Sequence, residues 1–117
     1  MKNEKKEEKE KKQNIIKIKN IIMKVLNENG FKDAKIILFG SRAKGDFKTL
    51  SDWDFLIVLK KELSMQEKRD ISHFIRKALA DIYIPSDVIV RSEDEVERRK
   101  NVIGSVIRSA IKTGIVI

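Results

Sequence analysis

Apolar positions change their spacing from block to block along the chain, and each change predicts a different element. Ile15, Ile18, Ile22, Val25 and Leu26 recur every three or four residues, the period of a helix with one buried face. Asn29-Gly30 supplies its stop. KIILF, Lys35–Phe39, is a short continuous apolar run rich in β-branched residues, which predicts a buried strand. Asp54–Leu59 (DFLIVL) predicts a second. Between them, residues 40–51 are polar and predict a turn, with room for a helical turn.

Ser64-Met65-Gln66-Glu67 carries the S-x-x-E capping signature. The helix it opens places Ile71, Phe74, Ile75, Ala78, Leu79 and Ile82 on its apolar side, and Pro85 breaks the pattern. Asp87–Val90 (DVIV) predicts a third strand. Ser92-Glu93-Asp94-Glu95 repeats the capping signature. It opens a last helix carrying Val96, Ile103, Val106, Ile107 and Ala110, with Gly114 at its end. Ile115-Val116-Ile117 suits either an added edge strand or a docked tail. Helices interleaved with short buried strands predict an α/β (α+β) domain, a small mixed β-sheet with helices packed on it.

Residues 2–12, KNEKKEEKEKK, are almost wholly charged, with both signs mixed. Residues 1–12 read as a solvated helix extension or a disordered arm, set apart from a single domain over residues 13–117. The length of 117 residues suits one modest core. Cysteine is absent and His73 is the one histidine, which excludes disulfides, thiolate metal sites and histidine-rich zinc sites. His73, beside Phe74, reads as packing or surface. No run approaches the length of a membrane span and no signal-peptide core is seen, so the expected location is cytoplasmic, with no membrane partner. The net charge of +8 favours anionic partners. Aromatics are only 6% of the chain, so a base-stacking platform is not evident and nucleic acid is not the expected partner.

The chemistry gathers in GSRAKGDFKTLSDWDFLIV, Gly40–Val58. Asp52 and Asp54 are two apart, so in a regular strand both carboxylates share a face while Trp53 and Phe55 turn to the other. Like charges side by side repel, and such a pair is kept where something positive lies between them. Mg²⁺ takes one or two carboxylates together with substrate phosphates. Upstream, Gly40 permits a tight turn, Ser41 offers a hydroxyl and an N–H, and Arg42 and Lys44 add positive charge. If a helical turn begins there, its leading N–H groups suit an anion. A phosphate cradle followed by paired carboxylates fits a metal-chelated nucleoside triphosphate.

Two competing motifs fail on residues. The Gly40-to-Gly45 spacing matches a P-loop, but Asp46 and Phe47 stand where Lys and Ser/Thr are needed. Leu56 and Ile57 stand where a calcium loop needs a further oxygen ligand and glycine. Asp87 opens the third strand. If that strand lies beside the second, it adds a third carboxylate, and three such groups permit two metal ions about 3.5–4 Å apart. The rival reading, capping aspartates in a solvated turn, leaves the upstream Gly-Ser and the downstream Asp87 unexplained.

Gly40-Ser41-Arg42-Ala43-Lys44-Gly45, then Ser51-Asp52-Trp53-Asp54, then Asp87 resembles the motif of the DNA polymerase β-like nucleotidyltransferase superfamily. It looks most like the short minimal nucleotidyltransferase (MNT) proteins. The resemblance spans roughly residues 15–117 and implies their fold. It implies that Gly40 and Ser41 bind the triphosphate, and that Asp52, Asp54 and Asp87 hold one or two Mg²⁺ ions. Asp87 would also help to deprotonate an acceptor hydroxyl. Arg42 and Lys44 would contact phosphate or pair with nearby acids. With ATP as substrate, AMP would pass to a hydroxyl of a protein partner. Little chain is left to hold that acceptor, so a homo-oligomer or another protein must supply it. Many such proteins act as antitoxins paired with a HEPN-type toxin protein. The alternative is a non-catalytic antitoxin that neutralises a HEPN protein by complex formation alone.

Overall fold

The computed structural model describes residues 2–44 and 52–117. Helix α1 (Lys2–Glu28) includes the charged stretch and buries Ile18, Ile22 and Leu26 completely. β1 (Lys35–Phe39) pairs antiparallel with β2 (Trp53–Leu59), in the register Phe39 opposite Asp54 and Ile37 opposite Leu56. Helix α2 (Met65–Ala80) then crosses over to β3 (Ser86–Ser92), which lies parallel to β2. Its start is fixed by the anticipated capping box: Ser64 Oγ accepts from the Glu67 N–H at 3.1 Å, and the Ser64 N–H donates back to Glu67 Oε1 at 3.1 Å. Among the described residues the sheet has four strands in the order β3-β2-β1-β4, where β4 (Ile115–Val116) is antiparallel to β1. Of the two readings of the C-terminal tripeptide, the added edge strand is the one observed.

The sheet is covered on both faces, which is why β2 reads as an unbroken apolar run. One face, with Trp53, Phe55, Ile57, Val88 and Val90, packs under α1 and α2. The other, with Ile37, Leu56 and Val58, packs under Ala110 and Val96 of the C-terminal helices. Phe55, Leu56 and Ile57 are each fully buried. Burying one side chain of this size contributes about 1.5–3 kcal/mol, so β2 is the element on which both layers depend.

One expectation is corrected. The segment after Ser92 is two helices, α3 (Glu93–Arg99) and α4 (Val106–Thr113), not one. α3 ends at Arg99 with Lys100 as its C-cap, and in the turn that follows Gly104 has φ +81°, a left-handed conformation outside any continuing helix. Ser105 then starts α4 by accepting from the Arg108 N–H at 3.0 Å. Ile103, assigned to the apolar side from its spacing, is 85% exposed because it lies in the break. The first part of that reading holds: Ser92 and Glu95 form the second capping box.

Candidate active site

β1 ends where β2 and β3 begin, so one end of the sheet collects the Gly40 turn, Asp52, Asp54 and Asp87. The parallel register sets Asp54 directly beside Asp87 on the neighbouring strand. Adjacent strands lie about 4.8 Å apart, so the two residues are as close as a sheet allows. The condition on which the third carboxylate depended, β3 lying next to β2, is met. Trp53 and Phe55 occupy the opposite face, buried, with rings stacked at 6.3 Å between centroids and 9° between planes.

Asp54 is half-buried while Asp52 and Asp87 are exposed. Burial, reinforced by the charge of Asp87 and then of Asp52, pushes the Asp54 carboxyl above its ordinary value. The site therefore holds more negative charge than it balances, a condition that a cation would relieve. Among the described residues no group of three carboxylate or imidazole side chains is gathered tightly enough to cage an ion by itself. Mg²⁺ does not require such a cage, because it keeps waters and substrate phosphates among its ligands. The donor set, oxygen only and open on one side, fits that ion.

Gly40 has φ +75°, and a Cβ built there would collide with Asp54 Oδ2. The carboxylate thus lies against the bare backbone of the turn. The Gly40 carbonyl accepts from the N–H groups of Ala43 at 3.2 Å and Lys44 at 3.3 Å, so the turn is helical at its start, as the sequence allowed. Ser41 is half-buried within it and Lys44 is exposed. Gly45 and Ser51 of the sequence motif lie outside the described residues.

Arg42 is placed in a way that sequence reasoning missed. Its guanidinium carbon lies 4.8 Å from the centroid of the Trp53 ring. A cation over an indole face gains about 0.5–2 kcal/mol, and here it fastens the turn to the strand that carries the aspartates. The two residues are remote in sequence, so no local pattern could announce the contact. His73 is exposed on α2, its ring 6.2 Å from that of Phe74, consistent with the surface reading.

The model of the family described as the nucleotidyltransferase domain matches residues 18–112. The chain belongs to the nucleotidyltransferase domain family. Two solved structures share this nucleotidyltransferase fold. One is a crystal structure of a toxin–antitoxin with AMP-PNP, 23% identical, with a TM-score of 0.55, covering 83% of this chain and 69% of that one. The other is a mutant form of the toxin–antitoxin MntA-HpeT, also 23% identical with a TM-score of 0.55, covering 85% and 70%. No curated protein matches the sequence. Among the described residues of this nucleotidyltransferase domain, no helix is long and apolar enough to cross a membrane.

Proposed function

We propose that this nucleotidyltransferase domain transfers AMP from ATP to a hydroxyl of a protein partner, and that it serves as the antitoxin of a HEPN-type toxin. The observation that carries the reading is the register pairing of Asp54 with Asp87 against the Gly40 turn. The AMP-PNP-bound toxin–antitoxin of the same fold supports the nucleotide and the partner class. Gly40 and Ser41 receive the triphosphate through backbone N–H groups and the Ser41 hydroxyl, helped by Lys44. Asp52, Asp54 and Asp87 hold Mg²⁺, which when bound neutralises phosphate charge. Arg42, stacked on Trp53, holds the turn in place.

In the transfer, the acceptor oxygen forms a bond to the α-phosphorus as the bond to the bridging oxygen of the β-phosphate breaks. Pyrophosphate leaves, and the acceptor proton passes to Asp87. Orientation of the two reactants is the main contribution of the protein, since aligned groups gain about 7–11 kcal/mol over free encounter.

The test is label transfer from α-labelled ATP, with Mg²⁺, to the protein encoded beside this chain. Label should appear on the partner and vanish with Asp54→Asn. An unlabelled partner that nevertheless forms a tight complex with both forms would overturn catalysis and leave neutralisation by binding alone.

A further inference from the structure

Along the outer edge of β3, α2 on one side and α3 with α4 on the other enclose a groove of about 900 Å³. Its cations are Lys68, Arg69, Arg76, Arg91, Arg98 and Arg99, and its acid among the described residues is Glu95. Glu95 is already engaged, by Lys68 at 3.0 Å and Arg91 at 3.9 Å. Arg69, Arg76, Arg98 and Arg99 are exposed and make no ion pair with any described residue. The groove therefore has a large positive excess, drawn from three elements, and calls for an anionic ligand.

Two further observations narrow that ligand. The groove also exposes apolar side chains, with Met65 67% and Val106 50% accessible. A phosphodiester backbone has nothing to set against them, and no aromatic ring lines the groove for a base to stack on. Arginine and methionine together are instead the composition of protein interfaces. Two carbonyls of β3 are also engaged by side chains. Ser72 Oγ donates to the Val88 carbonyl at 2.7 Å, and Arg91 Nη1 donates to the Val90 carbonyl at 2.7 Å. Those contacts disfavour an added strand and favour a ligand read through side chains.

We infer that this groove docks an acidic amphipathic helix of the acceptor protein. Its carboxylates meet the guanidinium groups of Arg69, Arg76, Arg98 and Arg99, which suit bidentate pairing. Its apolar face lies between Met65 and Val106. Val88, in the groove wall, directly follows Asp87, so the groove runs along the same strand that carries one of the carboxylates. This inference deepens the transfer proposed above and rests on it for the identity of the partner.

The experiment uses the full chain and a fluorescent helical peptide of about 18 residues with glutamate on one face and leucine on the other. Wild type should bind it. Arg69→Glu with Arg98→Glu should weaken binding about tenfold or more, the effect of losing charge-assisted pairs. Met65→Ser with Val106→Ser should weaken it measurably at unchanged salt dependence. Both variants should keep wild-type affinity for AMP-PNP. Equal binding to wild type and the arginine variant, or none to wild type, would overturn the inference. So would an RNA duplex that outcompetes the peptide and loses affinity in the arginine variant, or loss of AMP-PNP binding in that variant. Asp54→Asn should bind the peptide as wild type does, so failure of transfer and failure of docking are read separately.

Discussion

Gly40 and Asp54 show how closely two residues can depend on each other. A side chain at position 40 would have to adopt φ +75° and displace the Asp54 carboxylate. Gly40→Ala should therefore cost about 1–2 kcal/mol of stability for the left-handed backbone but lower nucleotidyl transfer roughly 100-fold, the scale of a misplaced reacting group. Urea titration beside a label-transfer assay checks both. Asp54→Asn should abolish transfer yet raise the melting temperature, because it removes a half-buried charge crowded by Asp87 and Asp52. Glu95 behaves in the opposite way. Burial alone would raise its carboxyl, but the Lys68 and Ser92 hydrogen bonds and the charges of Lys68 and Arg91 outweigh that and hold it below the ordinary 4.5. A lowered folded value stabilises above the unfolded value and is lost as pH falls through the folded one. Glu95→Gln should thus cost about 1 kcal/mol at neutral pH, and the gap from wild type should narrow as pH falls below the ordinary 4.5 and through the lowered folded value.

At the scale of elements, β4 is two residues long, yet it gives β1 a neighbour. Its rungs meet Ile37 and Leu38, and the Ile117 N–H donates to the Ile36 carbonyl at 3.0 Å. Removal of residues 115–117 should lower stability by about 1–3 kcal/mol, the loss of a few backbone bonds. It also leaves β1 as an open edge, so light scattering on warming should show earlier association. The break between α3 and α4 escaped the sequence because Val106, Ile107 and Ala110 continue the helical period begun by Val96. Apolar spacing cannot tell one helix from two that share a face. The turn that begins at the Lys100 cap, with the left-handed φ of Gly104 and then the Ser105 cap, separates them. The strands were more legible, because β-branched runs too short for helices, bounded by Gly40 and Pro85, leave few alternatives.

At the scale of the whole molecule, the +8 charge has a direction that composition hides. Spread along the sequence it says only that anionic partners are favoured, and only the fold sets Arg69 and Arg76 across a groove from Arg98 and Arg99. By itself the sequence determined the alternation of helices and strands, the helix starts at Ser64 and Ser92, and the three aspartates worth singling out. Those follow from local chemistry: side-chain period, capping geometry, and like charges placed two residues apart. Tertiary structure alone decided that Asp54 and Asp87 are strand neighbours, that Arg42 lies on Trp53, that Gly40 is pressed against a carboxylate, and that cations from three elements face one groove. Each is a contact between separate elements or between a turn and a strand. Its existence depends on the order and register of the strands, which no local propensity encodes.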